Sequence, residues 1–110
     1  MTAEANPLLA VTALDGRYRG KVEPLAPIVS EYGLMRFRVA VECAWFAHLA
    51  TEPAITELPA LDQRQRGALD AVTSGFDLTA AERIKTIERT TNHDVKAVEY
   101  YVKERLREVD

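Results

Sequence analysis

The chain is 110 residues long, 47% hydrophobic and 28% charged, with a net charge of −3, which leaves room for one domain with a modest core. That balance is ordinary for a globular protein, and the slight acidity argues against nucleic acid or an acidic membrane as partner. Cys43 is the single cysteine, which excludes an internal disulfide and a cysteine metal cluster and suits a reducing cytoplasm. Met1 to Asn6 reads as a disordered or extended lead-in. No lysine or arginine precedes Arg17 and no long apolar run follows, so neither a signal peptide nor a membrane span is expected. Pro7 to Ala13 is apolar but short, and is expected to lie across the surface of something larger. Asp15-Gly16 is a turn dipeptide, glycine supplying a positive φ, and the turn presents Arg17 and Tyr18 together. A solvated arginine beside a tyrosine that packs down fits this pattern. So does an anion site, since a guanidinium meets phosphate or carboxylate through paired N–H donors.

Pro24 and Pro27 bracket a short turn of helix or loop. Ser30 is a good N-cap for a long helix to about Ala50, stopped by Pro53; twenty residues span ~30 Å. Leu34, Phe37, Val41, Ala44, Trp45 and His48 form one stripe, while Met35, Val39, Phe46 and Leu49 carry apolar character well beyond one face. A helix apolar over so much of its circumference is usually buried on several sides, which points to partners beyond these residues. Trp45 is expected in the core, Cys43 as a buried inert thiol, and His48 as a packing or cap-side residue. Thr51 to Ala60 is a connection. Leu61 to Ser74 is expected to form the next helix, with Leu69, Val72 and Leu61 inward and Gly75 as its stop. Thr79-Ala80-Ala81-Glu82 is a capping pattern for a short helix through Ile84 and Ile87. A last helix carries Val95, Val98, Val102, Leu106 and Val109 at spacings of three and four. The fold class is all-α.

Before that last helix comes the polar run Glu88-Arg89-Thr90-Thr91-Asn92-His93-Asp94. Thr91 and Asn92 are N-cap types, and Asp94 follows Thr91 by three, completing a capping pattern. His93 is then expected in the first helical turn, beside unpaired N–H groups that favour anions. Such runs also serve simply as caps and loops. The residues leave hydrogen-bond donor, phosphate contact and proton carrier open for His93. His48 and His93 are far apart without metal-ligand spacing, and no glycine-rich phosphate loop or nucleophile elbow is present.

Three collinear segments resemble the bacterial adenylosuccinate lyases, of the fumarase/aspartase superfamily. They are Leu14-Asp15-Gly16-Arg17-Tyr18 with Lys21-Val22; Ser30-Glu31-Tyr32-Gly33-Leu34 with Arg36, Phe37, Arg38, Val39, Val41, Glu42 and Trp45; and Glu88 through Tyr100. The resemblance covers about Leu9 to Leu106 and implies that residues 1–110 are the small helical N-terminal domain of such a lyase. Family members are cytoplasmic homotetramers that release fumarate from adenylosuccinate, leaving AMP, and perform the same step on the purine intermediate SAICAR. They use no metal or organic cofactor and have no nucleic-acid or membrane partner. The resemblance implies substrate contacts for Arg17, Tyr18, Asn92, His93 and Asp94, with His93 binding substrate or assisting the acid step. Other branches often carry a basic residue in place of Asn92. The family's principal catalytic histidine and its loop serine belong to later segments absent from these residues, so the isolated chain is expected to be inactive. Argininosuccinate lyase or fumarase would share the architecture. A non-enzymatic helical interaction module derived from this domain is the rival from another class.

Overall fold

The computed structural model describes residues 6–108; the expectations for Met1 to Ala5 and for Val109 lie outside them. The described chain is helical, with no strand among these residues, as the all-α expectation required. It divides after Gly33 into two compact units.

In the first unit Asn6 caps a single 3-10 turn over Pro7–Leu9, its Oδ1 accepting the Leu8 N–H at 3.0 Å. Leu8 and Val11 are almost fully exposed, consistent with an apolar segment awaiting a larger surface. The turn at Asp15 and Gly16 forms, but for another reason than a positive φ, which no described glycine adopts. A Cβ on Gly16 would lie 2.6 Å from the Pro7 carbonyl oxygen and 2.9 Å from the Ala10 Cβ, so the residue is small because two backbone segments meet there. Helices α1 (Arg19–Val22) and α2 (Ala26–Val29) flank a 3-10 turn at Glu23–Leu25, matching the short helical turn expected between the prolines. Gly33 is another close approach: an added Cβ would meet the Ile28 carbonyl oxygen at 2.5 Å.

Helix α3 (Glu31–Leu49) starts where Ser30 predicts, the serine Oγ accepting the Gly33 N–H at 3.0 Å and donating to the Ala26 carbonyl. From Leu34 onward it belongs to the second unit, with α4 (Gln63–Ser74), α5 (Leu78–Thr91) and α6 (Asp94–Arg107). Asp62 caps α4 in a reciprocal box with Gln65. Gly75 ends it without a left-handed turn, its N–H reaching the Ala71 carbonyl at 2.8 Å. Helix α5 begins two residues ahead of the expected capping pattern: Asp77, not Thr79, supplies the cap, its Oδ1 accepting the Ala80 N–H at 2.9 Å. Aspartate in this place satisfies the same orphan donor that threonine would.

Helix α5 packs along α6, which also meets α4. Their core is Leu69, Val72, Phe76, Ala80, Ala81, Ile84, Ala97, Val98, Tyr101 and Val102, joined by Met35, Val39 and Cys43 of α3. Leu61 and Leu106 are half-buried. Phe76 and Tyr101 meet edge to face, ring centroids 6.2 Å apart, a favoured aromatic geometry.

Trp45 corrects an expectation: it is 55% exposed, on a face shared with Leu34, Phe37 and Val41. The core takes the Met35–Val39–Cys43 line at four-residue spacing instead. The bulkier stripe with Phe37 and Trp45 is left outside. His48 stacks on Trp45 with centroids 5.9 Å apart, so it packs as expected, though on the exposed face. Burial holds the Cys43 thiol above its usual range, in keeping with an inert core residue.

Candidate functional site

The expected site residues fall into two groups, one in each unit. Arg17 and Tyr18 occupy the turn leading into α1. The turn is pinned from below: the Asp15 carboxylate accepts from the Thr12 N–H at 2.7 Å, the Thr12 hydroxyl at 2.9 Å and the Val11 N–H at 3.3 Å. The Tyr18 N–H returns to the Ala13 carbonyl at 2.9 Å. Arg17 lies across the Tyr18 ring, 5.1 Å from its centroid, a cation–π contact that orders both side chains while leaving them exposed. The pair is therefore presented, rather than split into a solvated arginine and a buried tyrosine.

Asn92, His93 and Asp94 form the corner between α5 and α6. The polar run from Glu88 to Thr91 is the last turn of α5, not an interruption, and Thr91 is not the cap of α6. Asn92 closes α5 in the left-handed region at φ 53°, its N–H bonded to the Glu88 carbonyl at 2.7 Å. Asparagine tolerates that region better than most side chains. Thr91 braces the link, its hydroxyl accepting the His93 N–H at 3.2 Å and donating to the His93 carbonyl at 3.1 Å. His93 itself is the N-cap of α6: its Nδ1 accepts the Lys96 N–H at 3.1 Å.

That bond fixes the chemistry of the imidazole. An accepting Nδ1 carries no hydrogen, so the ring hydrogen sits on Nε2. The exposed ring thus offers one donor outward, while its basic lone pair is engaged with the helix backbone.

Asp94 opens α6, where a carboxylate complements the positive helix end. Its Oδ1 accepts the Val95 N–H at 2.9 Å, and its Oδ2 accepts from Arg38 Nη1 of α3 at 2.9 Å. The Arg38 bond, aided by that backbone bond, holds the carboxyl below its usual range. Sequence inspection assigned Arg38 no role. Arg38 is one of four charged residues on α3, with Glu31, Arg36 and Glu42, so the only available signal was that a half-buried charge needs a partner.

A second link between elements joins Arg83 of α5 to Glu104 of α6, Nε–Oε2 at 3.0 Å and Nη2–Oε1 at 2.6 Å. Arg83 lowers the Glu104 carboxyl in turn. At low pH the unfolded chain therefore binds more protons than the folded one, and stability must fall as both carboxylates are protonated. We expect a flat urea midpoint above about pH 5 and a declining one below it, with a smaller decline in Arg83→Gln. A midpoint unchanged down to about pH 3 would contradict the folded-state ion pairs.

Among the described residues no group of three or more histidine, cysteine or acidic side chains could hold a metal ion. No helix among them is long and apolar enough to cross a membrane.

An all-helical chain with a histidine-capped helix start fits the helical lyase class to which its three signature segments pointed. No protein-family model matches it. Curated relatives decide the matter. The chain is 54% identical to the adenylosuccinate lyase of Escherichia coli strain K12 over 106 residues, 96% of its own length. It is 53% identical to that of Haemophilus influenzae over 100 residues, 91% of the chain. It is 46% identical to that of Legionella pneumophila strain Corby over 101 residues, 92% of the chain. By sequence the chain is similar to adenylosuccinate lyases over nearly its whole length. It spans 22–23% of the length of these relatives.

Proposed function

We propose that this chain is the N-terminal domain of an adenylosuccinate lyase. That enzyme would eliminate fumarate from adenylosuccinate to leave AMP, and from SAICAR in purine nucleotide synthesis, as a cytoplasmic homotetramer without a cofactor. The observation that carries the proposal is the 54% identity over 96% of the chain.

The reaction is a β-elimination. A base takes a proton next to a carboxylate, the carbanion is stabilised, and an acid protonates the departing nitrogen. The corner geometry favours one role for His93 among those open. With Nδ1 occupied by the Lys96 N–H, the ring is poorly placed as a base and well placed to donate from Nε2. It would donate a hydrogen bond to an anionic oxygen of substrate; with Nδ1 unprotonated, proton transfer from Nε2 would leave an imidazolate, so this geometry favours the binding role over the acid step. Asn92 would add amide hydrogen bonds. Asp94, with each oxygen already engaged, would orient its neighbours more than touch substrate. Arg17 would meet an anionic group, and Tyr18 would hold the guanidinium in place. The principal acid and base are expected from other segments, so the chain alone would bind without turnover.

The exposed Leu34, Phe37, Val41 and Trp45 face of α3 favours a second proposal, a non-enzymatic helical interaction module. Amide NMR of the purified chain, titrated with AMP and with adenylosuccinate, separates the two. Selective shifts at Arg17, Tyr18 and Asn92 to Asp94, without fumarate release, are expected. Absence of shifts there would count against the substrate contacts, and fumarate release by the chain alone would refute its inactivity.

A further inference from the structure

We propose that Arg38 is a positioning residue for the His93 corner: from α3 it anchors the Asp94 carboxylate and so sets the direction in which the imidazole presents its Nε2–H. The proposal rests on His93 being a substrate contact. Its basis is the way the corner is restrained. The left-handed Asn92, the Thr91 brace and the Nδ1 cap all act within a few residues. They define the local shape of the turn, which the packing of α5 along α6 holds within the second unit. The Arg38–Asp94 bond adds a side-chain tie to α3, reaching across 56 positions of sequence at 2.9 Å.

Arg38 suits the task better than a fully solvated arginine would. Its side chain is 29% exposed, against 57% for Asp94, and it shares a hollow with Leu34, Phe37, Val41, Val95, Val98 and the carboxylate-bearing Glu42. Those neighbours restrict the stem, so less freedom is lost when the head group binds. Asp94 responds with one oxygen on Arg38 and the other on the Val95 N–H, which fixes its rotation. Because Asp94 is the first residue of α6 and His93 its cap, fixing one fixes the base of the other. A freed Asp94 would loosen the first turn of α6, so that the cap bond from the Lys96 N–H to His93 opens more often.

The test compares the wild-type chain with Arg38→Gln and Arg38→Lys by NMR. It follows exchange of the Lys96 amide, the imidazole nitrogen shifts of His93, and titration of the Asp94 carboxyl. In Arg38→Gln we expect Lys96 protection to fall roughly three- to fivefold and the Asp94 midpoint to rise toward the ordinary carboxylate range. Arg38→Lys should recover part of both. The Ile84 and Val98 amides should stay protected in all three proteins, which shows that the fold is intact. Unchanged Lys96 protection and His93 shifts in Arg38→Gln would overturn the proposal. Equal loss of protection at Ile84 and Val98 would overturn it as well, by making Arg38 a support of the whole fold. Adenylosuccinate added to each protein tests the underlying assignment separately. If wild-type His93 ignores it while Lys96 still responds to Arg38→Gln, the substrate contact fails and the positioning role stands.

Discussion

Ile84→Ala is expected to remove about 2–4 kcal/mol of folding stability, a large share of the ~5–15 kcal/mol a domain of this size holds. Ile84 is 1% exposed and, with Val39 and Val98, among the most completely buried side chains. It lies on α5, which packs along α6. Truncation there removes buried methyl groups and leaves a cavity that close-packed helices fill only in part. Leu34→Ala is the matched control, because Leu34 is 49% exposed and its truncation should cost less than about 1 kcal/mol. Urea unfolding followed by circular dichroism reads both. Equal losses in the two variants would mean that the assigned core face of α3 and α5 is wrong.

The contrast between these residues marks the limit of what the sequence conveys. Element existence was legible, because stops and caps are local chemistry: Ser30, Gly75 and the valine periodicity of α6 each stand where the structure uses them. The buried face of α3 was not legible. Apolar residues surround that helix, so periodicity cannot choose between the Leu34–Phe37–Val41–Trp45 side and the Met35–Val39–Cys43 side. The choice is made by the surfaces that the other helices offer, which lie far away in sequence. Cap positions slipped for a related reason. Asp77 and Thr79 are both good caps two residues apart, as are Thr91 and Asn92 beside His93. Which one caps depends on where the preceding helix stops, and Asn92 in the left-handed region stops α5. Asn92, His93 and Asp94 enter the candidate site only through the signature segments. Their arrangement was found only in the structure. Arg38 could not be matched to Asp94 from a pattern, because that pairing is made by packing and not by spacing.

His93→Ser should separate helix capping from substrate chemistry. Serine is among the preferred N-caps, whereas alanine is among the poorest. With an Oγ in reach of the Lys96 N–H, His93→Ser should therefore match wild-type stability to within about 0.5 kcal/mol. His93→Ala should lose about 1 kcal/mol. If the imidazole served only to cap α6, activity would follow stability and the serine variant would work normally. On the proposed role it would not, because serine cannot supply the outward Nε2–H that the Nδ1 bond leaves free. In the complete lyase carrying this segment, kcat for fumarate release should fall about 10²- to 10³-fold in both variants, while only His93→Ala shows a lower urea midpoint. Near-normal turnover in His93→Ser would reduce His93 to a helix cap. A histidine where serine would cap at least as well is what a site selected for chemistry would show, since functional sites are where local structural preference is set aside.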